Sequence, residues 1–194
     1  MGSLVDKKSF RPIDIGHSEL VDSEARELER YFINVIDFGI GGYVVEKVAN
    51  SRKTFGAKFT FLKAIFNSLL TYEQSIVKIE ADEFEWEGKL LSLAISNGQY
   101  FGNGIQIASD AMLDDGKFNV CVLSDISTAD YLKHLNKIRK GHKINHKGVR
   151  YFTTKELSIN PVDLSCAIDI DGEFCGYAPA KIKLLPKKFR LSHL

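Results

Sequence analysis

Short runs of β-branched and aromatic residues, separated by turn residues, constrain the fold of this chain more than any other feature. The runs lie at Ile76–Ile79, Phe84–Trp86, Leu90–Ile95, Lys117–Leu123, Leu157–Ile159, Ala167–Ile168 and Ile182–Leu185. Strands joined by short turns pair antiparallel, whereas parallel strands need a long crossover connection. The pattern therefore favours a mainly β, sandwich-like antiparallel fold with a few packed helices over a doubly wound parallel sheet. An α+β arrangement is the alternative.

Two segments carry the periodicity of a helix instead. Between Ala57 and Leu70 the apolar residues recur every three or four positions, which is typical of an amphipathic helix. Further along, Ser127 or Thr128 can cap the start of a second helix, which Gly141 can end. We therefore expect both of these segments to form helices that pack against the strands.

The segment Tyr31–Phe38 is aromatic and β-branched, which predicts one buried strand. It ends in Gly39–Gly42, so we expect a sharp turn into a helix whose face carries the valines of Val44–Val48. Later in the chain, Glu87–Gly88 separates two of the β-type runs. That spacing predicts a tight hairpin turn at Gly88.

Charge and cysteine content exclude several classes of protein. Lys and Arg number 26 against 25 Asp and Glu, so a formal net charge of +1 indicates neither nucleic acid nor an anionic membrane as partner. Cys121, Cys166 and Cys175 form no C-x-x-C pair, which predicts a reduced, cytoplasmic protein with the first two cysteines buried. No apolar run approaches the ~18 residues of a membrane-spanning helix.

Two acidic turns lie far apart in the sequence, at Leu113–Gly116 and at Asp169–Glu173. Carboxylates on glycine-containing turns suit a hard cation or a proton acceptor, although each turn alone is also explained as an ordinary β-turn. The glycine-rich segment Asn97–Gly104 fits neither G-x-G-x-x-G nor the phosphate loop that ends in Lys-Ser/Thr. It is left open between a ligand-contacting loop and a structural turn.

A basic run from Lys137 to Arg150 contrasts with an acidic group between Glu80 and Glu87. A solvated face explains either group. The alternative for the basic run is contact with anionic lipid headgroups, worth roughly 1 kcal/mol per well-placed Lys or Arg. His142 and His146 lack the pattern of a zinc site, and no G-x-S-x-G elbow indicates a nucleophilic serine.

The order of these features resembles the carboxyl-terminal part of the diacylglycerol kinase-like lipid kinases, the family that includes bacterial lipid kinases and the sphingosine and ceramide kinases. The resemblance covers most of the chain. It rests on Ile13–Gly16, Phe32–Asn34 with Gly39 and Gly42, Asn97–Gly104, Asp115–Gly116, and Asp171–Glu173 followed by Pro179. The order of these motifs along the chain carries the resemblance.

The resemblance implies that residues 11–194 form the β-rich lipid-acceptor domain, which closes against a separate amino-terminal nucleotide domain, and that residues 1–10 are a linker or vector-derived remnant. The implied reaction is phosphoryl transfer from ATP to the hydroxyl of a diacylglycerol-like lipid. Glu173 would accept the proton of the attacking hydroxyl. Asp171 beside it would polarise the site or assist through metal and water.

The resemblance also implies a Mg²⁺ site that takes the side chain of Asp115 and the carbonyl oxygens of Met112 and Lys117. Asn103 and Ser109 stand where the family commonly has glycine and proline. The family's Gly-Gly-Asp-Gly-Thr nucleotide motif is absent from this sequence. The ATP site is therefore expected in the other domain, and this chain alone should not bind ATP well.

The implied partners are that nucleotide-binding domain, a lipid substrate and, transiently, a membrane surface, but no nucleic acid; a homodimer is left open. The implied process is phospholipid biosynthesis, in the cytoplasm or at the membrane periphery. The acceptor lipid stays open, because Phe61, Phe66 and Tyr100 serve equally as a chain-binding cleft or as core. The alternative is a non-catalytic lipid- or partner-binding module that keeps the acidic turns as scaffold.

Overall fold

The computed structural model of the chain describes residues 10–22, 24, 26–50, 67–68, 70–100 and 104–192. Within these residues the strands are β1 (Phe10–Val21), β2 (Glu27–Phe32), β3 (Val35–Gly39), β4 (Ser75–Ala81), β5 (Phe84–Ser96), β6 (Phe118–Ser124), β7 (Val149–Thr154), β8 (Glu156–Pro161), β9 (Ala167–Ile170) and β10 (Glu173–Ser192). The helices include α1 (Ile40–Ala49) and α2 (Thr128–Arg139). The predicted mainly β fold is confirmed.

Six of the strands close into a ring. In the described part of the chain β10 pairs with β8, β8 with β4, β4 with β5, β5 with β3, β3 with β9, and β9 again with β10. Strands β1 and β2 extend the sheet from β10, and β6 and β7 extend it from β5. All of these pairings are antiparallel, as the short connections predicted.

The alternation of side chains along each strand divides the buried residues between two clusters. Ile36, Phe38 and Leu93 lie in the main core and are fully buried. Leu91 and Cys121 lie in a second cluster with residues of α1 and of the loops outside the sheet. Full burial of an apolar side chain of this size contributes about 1.5–3 kcal/mol, so both faces of the sheet stabilise the fold.

The prediction of one continuous strand over Tyr31–Phe38 is wrong, because the chain breaks at Ile33–Asn34 between β2 and β3. Of these two strands, only β3 is buried along its whole length. The break has a non-local cause, since the carboxylate of Asp171 accepts hydrogen bonds from the backbone N–H groups of residues 33–35. The sharp turn predicted at Gly39 is present, with φ at 96° leading directly into α1.

The predicted hairpin turn at Gly88 is also wrong. Asp82 and Glu83 form the turn between β4 and β5, and Gly88 lies inside β5 opposite Val77. The aromatic ring of Trp86 explains the glycine, because a Cβ at residue 88 would lie 2.6 Å from Cζ2 of that ring. Close packing of a ring, rather than a turn, therefore accounts for Gly88.

The other helix predictions fall partly outside the described residues. Most of the helix expected over 57–70 lies there, although Asn67, Ser68 and Leu70 are helical. Helix α2 is confirmed with its predicted ends, since Ser127 Oγ accepts a hydrogen bond from Asp130 N at 3.1 Å and Gly141 has a φ of 72°.

The cysteine prediction is confirmed for the two residues it concerned. Cys121 and Cys166 are buried and free, and burial raises the pKa of each thiol to about 12. Both therefore act as small apolar side chains. Across the described part of the chain, no helix combines the length and the apolar character needed to cross a membrane.

Candidate active site

The first acidic turn immediately precedes β6. Asp115 Oδ1 accepts a hydrogen bond from Lys117 N at 3.3 Å. Its Oδ2 is buried, accepts no hydrogen bond, and forms an ion pair with the ammonium of Lys117 at 3.8 Å. The neighbouring Asp114 is occupied differently, in an ion pair with Arg11 at 2.6 Å. Asp115 is thus the carboxylate of this turn whose buried oxygen lacks a hydrogen bond.

The chemistry of this turn fits a hard cation. A buried carboxylate oxygen without a hydrogen bond is unfavourable, and the carbonyl groups of Met112 and Lys117 flank Asp115 in the sequence. Mg²⁺ and Ca²⁺ prefer such oxygen ligands. No group of three or more His, Cys, Asp or Glu side chains around a common point occurs within the described residues. A cation here would therefore rely on main-chain oxygens beside Asp115.

The second acidic turn joins β9 to β10, and Asp171 has a φ of 49° within it. The Asp171 carboxylate accepts hydrogen bonds from Ile33 N at 2.9 Å, Asn34 N at 3.1 Å and Val35 N at 2.9 Å. Its own N–H donates to Val35 O at 3.0 Å. These bonds engage both carboxylate oxygens, so Asp171 anchors the break between β2 and β3.

Glu173 is the first residue of β10 and is exposed. Within the described residues no hydrogen bond or ion pair engages its carboxylate, in contrast to Asp171. The two acidic residues of the turn therefore have different environments. Glu173 is free to meet a ligand, whereas Asp171 holds the backbone that surrounds it.

A pair of buried carboxyl groups, Asp37 and Asp169, lies behind this turn and was missed by the sequence analysis. The two residues are directly opposite in the pairing of β3 with β9. Ser92 Oγ donates to Asp37 Oδ1 at 2.8 Å, and Gly172 N donates to Asp169 Oδ1 at 2.7 Å. The Asp-x-Asp-Gly sequence before Glu173 was the available signal for Asp169. Asp37 has no such signal, because only the strand register places it opposite Asp169.

Burial governs the protonation of this pair. It raises the pKa of Asp169 to about 6, with a further rise from the charge of Asp171, while the N–H groups of Gly172 and Glu173 oppose it. Burial also raises the pKa of Asp37 well above its usual range, against the Ser92 hydroxyl and with the repulsion of Asp169 added. Burial therefore favours the protonated form of Asp37.

The segment Asn97–Gly104 leaves β5 and packs on the same break, as far as its residues are described. Asn97 N and Gly98 N both donate to Asn34 O, at 2.9 and 2.8 Å. A Cβ on Gly98 would lie 1.9 Å from Asn34 Oδ1, so only glycine fits there. Residues 101–103, including the departure from the family at Asn103, lie outside the described residues.

A cavity of about 240 Å³ lies between residues 106–110, strands β6 and β7, and the end of α2. Cys121, Tyr151 and Ile138 give it apolar walls, and Asn119 lines it as well. The side-chain nitrogen of Asn119 is buried without a hydrogen-bond partner. Its other walls are polar, with Gln106, Asp110, His142, Lys143 and Thr153 among the lining residues. The cavity is thus of mixed polarity and has one buried donor without a hydrogen bond.

The predicted basic run occupies the second half of α2 and the loop that follows it. Lys143 is neutralised by Asp110 at 2.7 Å, whereas Lys137, Arg139 and Lys140 are exposed. In the acidic group, Glu80 and Glu85 pair with Lys78 at 2.8 and 3.1 Å. Exposed ion pairs of this kind are typical of a solvated face, which is the interpretation of the acidic group made from the sequence.

Comparisons with known proteins agree with this geometry. The family model described as the YegS C-terminal NAD kinase beta sandwich-like domain matches residues 34–193. A diacylglycerol kinase of Bacillus subtilis (strain 168) is 23% identical over 171 residues, which are 88% of this chain and 53% of the relative. A diacylglycerol kinase of Staphylococcus carnosus (strain TM300) is 27% identical over 168 residues, with 85% of this chain and 53% of the relative covered.

The solved structures agree at the level of the fold. A crystal structure of a diacylglycerol kinase from Bacillus anthracis str. Sterne superposes with a TM-score of 0.64 at 18% identity, over 97% of this chain and 56% of that chain. The chain therefore spans about half the length of the curated relatives it matches.

Proposed function

Because this chain belongs to the family of YegS C-terminal NAD kinase beta sandwich-like domains, the carboxyl-terminal domains of diacylglycerol kinase-like lipid kinases, we propose that it is the acceptor-binding half of an ATP-dependent lipid kinase. The other half would be a nucleotide-binding domain that supplies ATP. The exposed, unengaged carboxylate of Glu173, on a turn that Asp171 fixes, carries this proposal.

Glu173 would act as the proton acceptor. The acceptor hydroxyl attacks the γ-phosphorus of ATP, the bond from that phosphorus to the bridging oxygen breaks, and ADP leaves. The hydroxyl proton passes to the Glu173 carboxylate, which can return it to solvent because the residue is exposed. Asp171 would contribute indirectly, since its carboxylate already accepts three backbone hydrogen bonds.

The first acidic turn would hold Mg²⁺ through Asp115 Oδ2 and the carbonyl oxygens of Met112 and Lys117. The buried Asp115 Oδ2 supports this assignment, because it accepts no hydrogen bond and has only the Lys117 ammonium, 3.8 Å away, as a counter-charge. A cation there neutralises charge and fixes the turn.

The acceptor lipid would be neutral and diacylglycerol-like. The cavity beside Asn119 supports this choice, because its wall of Cys121, Ile138 and Tyr151 suits an apolar segment of the lipid, while its polar walls and the Asn119 amide donor suit the ester and hydroxyl groups. The exposed cations at Lys137, Arg139 and Lys140 would contact anionic headgroups while the lipid is engaged, each contributing roughly 1 kcal/mol near a charged surface.

The test is phosphoryl transfer from radiolabelled ATP to diacylglycerol by the whole protein that contains this chain. Glu173→Gln keeps the size of the side chain but removes its basicity, so we expect turnover to fall by about 10²–10⁴-fold with folding intact. Glu87→Gln, the same change at an exposed position of β5, is the matched control and should leave turnover unchanged. Undiminished turnover of Glu173→Gln would remove this residue from the mechanism.

A further inference from the structure

A buried carboxylate on β1 holds the first acidic turn in place. Asp14 has no exposed surface and lies at an irregularity in the pairing of β1 with β10. Its Oδ2 accepts a hydrogen bond from Gly116 N at 2.8 Å, and its Oδ1 accepts one from Lys187 N at 2.8 Å. Its own N–H donates to Leu113 O at 2.6 Å. Asp14 thereby binds the turn at both of its ends.

A buried amide continues this contact towards the second acidic turn. Asn97 has no exposed surface, and its Nδ2 donates to Asp14 O at 2.9 Å and to Ile33 O at 2.7 Å. The two carbonyl acceptors fix the orientation of the amide, since the opposite orientation would bring oxygen against oxygen. Asn97 therefore joins β1 to the break between β2 and β3.

The last contact leads to the turn that carries Glu173. Ile33, whose carbonyl accepts from Asn97, donates its N–H to Asp171 Oδ2 at 2.9 Å. A continuous series of hydrogen bonds thus runs from Gly116 through Asp14, Asn97 and Ile33 to Asp171. The bond from Asn97 to Asp14 is buried, the bonds from Gly116 to Asp14 and from Asn97 to Ile33 are partly buried, and the bond from Ile33 to Asp171 is exposed. Hydrogen bonds are stronger away from water, so the series is held most firmly at Asn97.

We infer that Asp14 and Asn97 are positioning residues that couple the cation-binding turn to the turn of the proton acceptor. This inference rests on the proposed function for the roles of Asp115 and Glu173, but the coupling itself is a property of the chain alone. Order imposed on the first turn reaches Glu173 through Asn97, so a cation some distance from the reacting atoms controls the placement of the base.

The decisive experiment is amide hydrogen exchange on this chain without nucleotide or lipid. Asn97→Leu removes both Nδ2 bonds, so we expect exchange at Ile33, Asn34 and Val35 and at Gly116 to accelerate about tenfold. Asp14→Asn changes a side chain that contacts only the first of the two acidic turns. Because the two turns are coupled, it should also accelerate exchange at residues 33–35, which lie beyond Asn97. In the double variant Asp14→Asn adds nothing further at residues 33–35, because their connection to Asp14 is already broken.

Gln74→Leu is the matched control, since it also removes a side-chain amide donor to a backbone carbonyl, that of Ile126, at 2.9 Å. It should leave exchange at both turns unchanged. A purely local role for Asn97 would accelerate exchange at residues 97–98 alone, and that result overturns the inference. Additive effects of Asp14→Asn and Asn97→Leu at residues 33–35 overturn it equally.

Turnover separates this inference from the proposed function. In the whole protein Asn97→Leu should lower kcat about tenfold and leave the KM for ATP unchanged, because it displaces the base and not the nucleotide. Coupled exchange together with full activity of Glu173→Gln would refute the proposed base and keep the coupling. Loss of activity in Glu173→Gln with uncoupled exchange would refute the coupling and keep the base.

Discussion

At the scale of single residues, the environment of each carboxyl group decides what it does. Asp171 is engaged by three backbone N–H groups, Glu173 by none of the described residues, and Asp115 keeps one buried oxygen without a hydrogen bond. Asp37 and Asp169 face each other away from water. Carboxyl groups of the same intrinsic chemistry therefore differ in their environments: Asp171 anchors backbone, Glu173 is open to a ligand, and burial favours the protonated forms of Asp37 and Asp169.

Because Asp115 Oδ2 is buried without a hydrogen bond, we predict that Mg²⁺ stabilises the folded chain through this residue. A cation that binds only the folded state raises stability by mass action, by about 2.7 kcal/mol at a concentration 100 times its Kd. Asp115→Ala should abolish the Mg²⁺-induced rise in Tm, measured by calorimetry on this chain. Asp114→Ala is the neighbouring control: it removes the ion pair with Arg11 and should keep the Mg²⁺ response. An unchanged response in Asp115→Ala would exclude it as a ligand.

Asp169 predicts a specific dependence of stability on pH. Its pKa is about 6 in the folded state against an ordinary 3.8, so the folded protein binds more protons between these values and loses stability as the pH rises through them. The loss is on the order of 3 kcal/mol and is complete above about pH 6. The Tm of Asp169→Asn, relative to that of the natural sequence, should therefore rise by roughly 5–10 °C as the pH is raised from 4 to 7.

Asp163 gives the opposite sign and serves as the control. Hydrogen bonds from Leu164 N and Ile76 N lower its pKa, so its contribution is present at neutral pH and is lost as the pH falls through the lowered value. Asp163→Asn should be less stable than the natural sequence at pH 7, and the difference should shrink in acid. A pH-independent Tm difference for Asp169→Asn would contradict the proposed burial cost.

At the scale of elements, the docking of α1 depends on backbone contact with β9. A Cβ on Gly42 would lie 2.2 Å from Ala167 O and 2.4 Å from its carbonyl carbon. Neither atom can move without displacing β9 and with it the turn of Glu173. Gly42→Ala should therefore destabilise the chain by about 2–3 kcal/mol in urea unfolding. Gly104→Ala, whose Cβ would have none of the described residues within 4 Å, should cost only the strain of its positive φ, about 1 kcal/mol.

The same scale explains how much the sequence could predict. Helix α2 was predictable because Ser127 and Gly141 are local signals at its ends. The break at Ile33–Asn34 was not, because its cause is a carboxylate 138 residues away from Ile33. The resemblance to a family identified Glu173 and Asp115 by motif. It offered no sign of Asn97 as a link, since that role depends on a contact with Asp14 across 83 residues.

At the scale of the whole molecule, the ring of six strands has no independent half. Strand β10 pairs with β1, β8 and β9, so it takes part in most of the fold. We expect one unfolding transition, with calorimetric and van't Hoff enthalpies equal. Deletion of residues 187–194 removes the pairing of β10 with Phe10–Ile13 and the Lys187 bond to Asp14, so Tm should fall while the single transition remains. Two separate transitions would show that the ring and its extension unfold independently.

The position of β10 in the chain has a consequence for biosynthesis. It follows β1, β8 and β9 in sequence, and it supplies the pairing that β1, β8 and β9 each need to complete the sheet. While a ribosome is still making the chain, β9 and β8 present unpaired edges, which are templates for association with other nascent chains. These edges stay unpaired until β10 has been made, so we expect association through strand edges to be strongest for chains that still lack β10.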